Sequence, residues 1–256
     1  MKHLNLLVTR WRELPDQGFV IRMAKLLDAA LWIKAYDGAR YLDLGEPFAL
    51  VAHRVQQQDV DVGAWGYHYG GLGEAERLLE CYFYRHELPG YEGPRAGLLI
   101  DAEREFERTE GWAAARAQVD RIVAAPIEVP VYYTSFAFPS MHGLFPYSVF
   151  NRLSGGHVPQ VYYNHTGWPE PAPAILQSVE EHKKRGKILA GVMLPIYDAG
   201  PESGWRPTPD HFHEATLAAH LAGVASVWTW SVEYHQWRDW LALWHYSLLR
   251  RSLNTQ

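Results

Sequence analysis

Residues 97–103 read Gly-Leu-Leu-Ile-Asp-Ala-Glu, an apolar run that ends in two carboxylates two positions apart. Side chains alternate along a strand, so in extended chain Asp101 and Glu103 leave from the same side. Two acids held this close repel once both ionise, which lifts one pKa and leaves a protonated group beside an ionised one. Such a pair can protonate a leaving oxygen, which is the first need of glycoside hydrolysis. The competing reading is a solvated charged loop built by Glu103, Arg104, Glu105 and Arg108. Position favours chemistry, because the pair closes an apolar strand.

The elements around this strand must hold the pair in place. Short runs rich in Val, Leu, Ile, Tyr and Trp predict strands at Leu4–Val8, Leu31–Ala35, Val62–Tyr67, Gly97–Asp101, Val129–Tyr133, Val158–Tyr163, Ile188–Leu194 and Ala225–Trp230. Segments of helical period separate them, Pro146–Leu153 among them. Phe19, Val20, Met23, Ala24 and Leu27 form one apolar face, Ala75, Leu78, Leu79, Tyr82 and Phe83 another, and Trp237, Trp240, Leu241, Trp244 and Leu248 a third. The stripe on the last of these predicts a helix packed on the body of the fold. Eight strands alternating with helices, with no linker or low-complexity tract, predict one α/β domain over residues 1–256, a (β/α)8 TIM barrel. An open doubly wound sheet would want a glycine-rich turn after the first strand, and none follows Val8.

A barrel of this kind places its chemistry at the C-terminal strand ends. There the sequence offers Lys34, Tyr36 and Asp37; Tyr67 and His68; Asp101 and Glu103; Tyr133; Asn164 and His165; Tyr197 and Asp198; Trp230 and Glu233. Aromatic residues make up 14% of the chain, a surplus that suits a cleft stacking on sugar rings.

Composition excludes several other classes. A net charge of −5 gives no basic footprint for nucleic acid. The single cysteine, Cys81, excludes an internal disulfide and a cysteine-based zinc site. No apolar run reaches the roughly 18 residues of a membrane span, so no membrane insertion is expected. Met1-Lys2-His3-Leu4-Asn5 opens no signal peptide, so the expectation is a chain cytoplasmic as synthesised, released by lysis or associated with a phage. His211-Phe212-His213 has an i, i+2 spacing that separates its rings on a helix, so no metal is expected there. Gly70-Gly71-Leu72-Gly73 lacks the rest of a nucleotide fingerprint and reads as a strand-to-helix turn. No cofactor is implied.

Four strand ends resemble those of the family 25 glycoside hydrolases, the lysozymes of the Chalaropsis type. Ile33-Lys34-Ala35-Tyr36-Asp37-Gly38 resembles their Lys-Ala-Thr-Glu-Gly strand, and Gly63-Ala64-Trp65-Gly66-Tyr67-His68 their Gly-x-Tyr-His strand. Leu99-Ile100-Asp101-Ala102-Glu103 resembles their Leu-Asp-x-Glu strand, and Pro130-Val131-Tyr132-Tyr133-Thr134-Ser135 their Pro-x-x-Tyr-Thr strand. The likeness spans about residues 30–135 and keeps the family's order. It departs at both ends: the first strand, Leu6-Leu7-Val8-Thr9-Arg10-Trp11, carries no acid, and the last reads Val227-Trp228-Thr229-Trp230-Ser231-Val232-Glu233 in place of Trp-Gln-Tyr.

The resemblance implies a glycosidase acting on a glycan such as peptidoglycan, with Glu103 as proton donor and Asp101 as its neighbour. Glu103 is then the group expected to keep its proton. Glu233 is the favoured second carboxylate, with Asp37 and Asp198 as alternatives, unless a substrate acetamido group takes that part. A catalytically silent barrel that binds glycans, in a phage or a cell envelope, is the alternative.

Overall fold

The computed structural model describes residues 3–84, 88–163, 170–186, 189–196 and 207–254. Its strands are β1 (His3–Val8), β2 (Ala29–Asp37), β3 (Arg40–Tyr41), β4 (Val62–His68), β5 (Gly97–Ala102), β6 (Val131–Phe136), β7 (Gly156–Gln160), β8 (Val192–Pro195) and β9 (Ser226–Trp230). β3 is a two-residue antiparallel flap on β2. The other eight pair in parallel, and the β1–β9 and β1–β2 pairings close them into a ring. Helices α1 (Gln17–Leu27), α2 (Phe48–Gln56), α3 (Leu72–Phe83), α4 (Thr109–Val123), α5 (Tyr147–Phe150), α6 (Pro171–Lys184), α7 (Pro209–Leu221) and α8 (Trp237–Asn254) follow in the connections. The fold is a (β/α)8 barrel.

Each strand faces two cores, and its alternation divides its side chains between them. Leu4, Leu6, Leu31, Ile33, Val62, Ala64, Leu98 and Ile100 point outward into the layer beneath the helices. Leu7, Trp32, Trp65, Leu99, Val158, Met193 and Trp228 fill the barrel itself. Such bulk fits only because glycines stand opposite it. A β-carbon on Gly63 would lie 2.3 Å from the Trp32 ring, and one on Gly155 2.7 Å from Tyr132. The indole N–H groups find partners inside: Trp32 donates to Asn5 Oδ1 at 2.9 Å, and Trp65 to the carbonyls of Val8 and Trp32 at 3.1 Å each.

Two expectations need correction. α5 is a single turn, although the apolar pattern predicts helix from Pro146 to Leu153. Of the five residues of the α8 stripe, Trp240 alone packs inward, beside Leu243 and Tyr246, while Trp237, Leu241, Trp244 and Leu248 face outward. An 18-residue helix carrying apolar residues on both faces offers two seams, and sequence pattern alone does not say which one the barrel takes.

Candidate active site

β5 delivers the central pair. Leu98, Ile100 and Ala102 anchor it in the outer core, which turns Leu99, Asp101 and then Glu103 inward at the C-terminal mouth. Asp101 is 3% exposed, and Glu103 stands above it, half-buried. Burial, followed by the charge of Glu103, holds the Asp101 carboxyl well above the ordinary aspartate range. Glu103 is also raised, first by burial and then by Glu105. The sequence reading put the retained proton on Glu103; the deeper position of Asp101 makes it the stronger proton holder. The two titrate as a pair.

Gln160, at the end of β7, holds this pair from the neighbouring wall. Its amide donates to Asp101 Oδ1 at 2.8 Å and also hydrogen-bonds the Glu103 carboxylate. The sequence reading missed it. The signal was present, because Gln160 lies two residues after inward-facing Val158 and closes an apolar strand. Tyr162 lies just beyond, half-buried, with its hydroxyl 3.1 Å from Met193 Sδ.

On the opposite flank, β2 and β4 bring in a cation and two phenols. A register shift between Lys34 and Tyr36 inserts Ala35 as a bulge, so Lys34 pairs with Trp65 and Asp37 with Tyr67. Lys34 and Asp37, three residues apart, thereby share the inward side, with Lys34 Nζ 3.3 Å from Asp37 Oδ1 and 5.2 Å from the centre of the Trp65 ring. The Lys34 charge favours the ionised form of Asp101. Tyr67 donates to Glu105 Oε2 at 2.8 Å, and burial together with the carboxylates of Glu103, Glu105 and Asp101 raises its own pKa. Tyr69 packs its ring 4.7 Å from that of Tyr67 and donates to Asp37 at 3.3 Å. Trp230 meets Trp65 edge-on at 5.1 Å.

The structure thus gathers Lys34, Asp37, Tyr67, Asp101 and Glu103 at one end of the barrel, with Trp230 beside Trp65. Three other candidates point the wrong way. The bulge turns Tyr36 to the outward side shared by Gly66, where a β-carbon would lie 2.4 Å from the Tyr36 ring. Its hydroxyl meets His68 Nε2 at 2.7 Å, and His68 Nδ1 meets Gln118 Oε1 at 2.8 Å. Burial lowers His68 to about 4, a neutral ring inside a polar cluster under the helices. That cluster ends on Glu74, which also accepts from the backbone of Tyr69, Gly70 and Gly71 and so fixes the glycine turn. Tyr133 is likewise outward, stacked between Phe150 and His157, because alternation turns Tyr132 inward instead.

Glu233 sits in the turn after β9. It accepts hydrogen bonds from the Arg10 backbone N–H and from Ser231 Oγ, which tie it to the β1–β9 seam. The ring order puts β9 diametrically opposite β5. Asn164, His165, Tyr197 and Asp198 lie outside the described residues. Among the described residues, no group of three or more His, Cys, Asp or Glu is arranged to hold a metal ion. His211 serves as a helix cap: its backbone N–H donates to Thr208 Oγ1 and its Nδ1 accepts from the Thr208 backbone N–H, each at 3.2 Å.

No family model and no curated protein matches this sequence. Solved structures do. The active domain 2 of a chitinase from Pyrococcus furiosus superposes with a TM-score of 0.69 at 11% identity, covering 98% of this chain and 96% of that one. The spore cortex-lytic enzyme SleL of Bacillus megaterium gives 0.64 at 9% identity, covering 94% of this chain and 73% of that one. The glycoside hydrolase domain of PgaB (BpsB) from Bordetella bronchiseptica gives 0.64 at 13% identity, covering 95% and 98%. The shared frame is a (β/α)8 barrel. The likeness does not single out the Chalaropsis-type lysozymes, and at these identities it establishes the fold.

Proposed function

We propose that this protein hydrolyses a glycan of N-acetylated sugars, with Glu103 as proton donor and the substrate's own acetamido group as nucleophile. The observation that carries this reading is the grouping of acids at the mouth. Asp101, Glu103 and Glu105 come from one strand and the turn after it, so they approach a bound sugar from one side. A retaining or inverting mechanism with two carboxylates needs the second acid across the scissile bond, roughly 5–9.5 Å away. Of the described candidates on other strands, Glu233 is bound to the β1–β9 seam and Asp37 to Lys34 and Tyr69. An acetamido oxygen attacking the anomeric carbon removes the need for that second acid.

In this mechanism Glu103 donates its proton to the leaving glycosidic oxygen as the acetamido oxygen closes on the anomeric carbon. Asp101, buried beneath, accepts a hydrogen bond from the acetamido N–H, which orients the group and stabilises the positive charge developing on it. Gln160 holds both carboxyls in register. Glu103, once ionised, accepts a proton from the water that opens the cyclic intermediate. Tyr67, Tyr69 and Trp230 offer apolar ring surface at the cleft. Chitin and peptidoglycan, the glycans suggested by the named relatives and by the strand-end resemblance, both carry N-acetyl groups.

The test is product release from chitin oligosaccharides and from purified peptidoglycan, beside the same glycans with their amino groups deacetylated. Cleavage of the acetylated forms alone, lost in Glu103→Gln, is the expected result. Equal cleavage of deacetylated glycan overturns the acetamido nucleophile. Binding without cleavage of any of them makes the barrel a glycan-binding module.

A further inference from the structure

The outer seam of α8 is apolar along its length: Trp237, Leu241, Trp244 and Leu248 are all exposed, Trp237 by 78%. α8 lies between α1 and α7, which carry exposed apolar side chains of their own, Phe19 and Leu26 on α1 and Leu217 and Leu221 on α7. Soluble monomers rarely leave so much contiguous apolar surface in water. We propose that this face joins two copies of the chain in a twofold-symmetric dimer.

The pattern of the seam argues for a second copy over any other occupant. Its spacing, four then three then four residues, reads the same from either end. A twofold axis passing between Leu241 and Trp244 brings two α8 helices together antiparallel. Trp237 of each copy then faces Leu248 of the other, and Leu241 faces Trp244, so every contact sets a large side chain against a smaller one. This is the self-complementarity that an isologous interface requires. The eight apolar side chains on the three helices together expose area on the order of the 800 Å² per partner of a standard interface. A membrane surface fits less well. An interfacial helix carries a strongly basic polar face, whereas among the described side chains the exposed positions of α8 beside the seam are Arg251 and His245, on a chain of net charge −5.

Sedimentation velocity of the full chain between about 1 and 50 μM tests this. The expected species has twice the chain mass. Trp244→Glu should convert it to monomer, while Leu72→Glu, on exposed α3, should leave it dimeric. Because Trp244→Glu could disturb folding, a swap gives an independent reading. Leu241→Trp alone sets tryptophan against tryptophan and should weaken the dimer at least tenfold, whereas Leu241→Trp combined with Trp244→Leu restores the large-to-small pairing and the dimer. A wild-type monomer at 50 μM overturns the proposal, as does a dimer that survives Trp244→Glu. So does a monomer that instead binds phospholipid vesicles through this face.

Discussion

The two ends of the barrel make a useful contrast. At the N-terminal end, a cavity of about 520 Å³ opens among Asn5, Ala30, Trp32, Ala96, Tyr132, Ala190 and Trp228. Its polar groups are paired: Trp32 with Asn5, Trp228 with Ser226 at 2.8 Å, and Ser226 with the Ala190 carbonyl at 2.7 Å. Two ion pairs stand at its rim, Lys25 with Asp59 at 2.9 Å and Asp28 with Arg250 at 2.8 Å. At the C-terminal end the order reverses. Three carboxylates crowd Tyr67, two of them are pushed out of their ordinary range, and Lys34 is the cation acting on Asp101 from within the barrel. Volume collects where small residues leave it, and chemistry collects where like charges are forced together against their own repulsion. The N-terminal cavity is therefore the weaker candidate for a catalytic site.

Substitutions at the two ends should separate on this basis. The largest effect is expected for Glu103→Gln, which removes the proton donor and should lower kcat on an N-acetylated glycan on the order of 10³-fold. It also discharges a crowded buried site, so the melting temperature should hold or rise. A fall in both activity and melting temperature would place Glu103 with the residues that maintain the fold. Trp228→Ala at the other end should behave in the opposite sense. It empties a fully buried site and costs about 3–5 kcal/mol, which lowers the melting temperature by roughly 10 °C in a domain of this size. The pH dependence of kcat/KM in the surviving folded protein should be unchanged. A displaced pH profile in Trp228→Ala would show the two ends to be coupled through the contact of Trp32 and Trp228, whose tilted rings lie 4.5 Å apart.

Asp101→Asn sharpens the contrast through stability. The native state holds a proton on Asp101 at pH values where the unfolded chain has already lost it. Stability therefore falls as pH rises from the ordinary aspartate value toward the raised native one. Asparagine removes this loss and still accepts from Gln160. The variant should melt above wild type at pH 7, and the gap should close below about pH 4. Calorimetry across that range checks it, and a gap that stays constant with pH would assign the effect to packing.

How far the sequence discloses such a site depends on parity. The barrel is legible because each inner strand is covered on both sides, which leaves eight near-continuous apolar runs. The Asp101–Glu103 pair is legible because residues two positions apart on a regular strand share a side. Tyr36 is not, since a single extra residue at Ala35 reverses every later orientation on β2 and nothing in Lys-Ala-Tyr-Asp announces the bulge. Tyr132 and Tyr133 are adjacent identical residues, and only the register with β5 decides which of them enters the barrel. Gln160 escaped because a neutral amide at a strand end carries no charge signal, although its parity with Val158 pointed inward.

The smallest effect, and the finest test of crowding at the mouth, is expected for Glu105→Gln. Glu105 touches no other member of the pair by hydrogen bond; it accepts from Tyr67 and acts on Glu103 through its charge. Removing that charge eases ionisation of Glu103. An acid that must be protonated to work then loses its proton at lower pH, so the basic limb of the kcat/KM profile should move toward acid. The plateau should change less than about tenfold, because the proton donor is intact. Tyr67→Phe provides the control: it removes the same hydrogen bond and leaves the carboxylate in place, so the limb should not move toward acid. Salt adds a second control, since screening weakens a charge that acts through partly open space. Raising the ionic strength should shift the wild-type limb in the same direction as Glu105→Gln and shift that variant less. If Glu105→Gln leaves the limb in place, Glu103 is set by burial and by Gln160, and the charge of Glu105 plays no part.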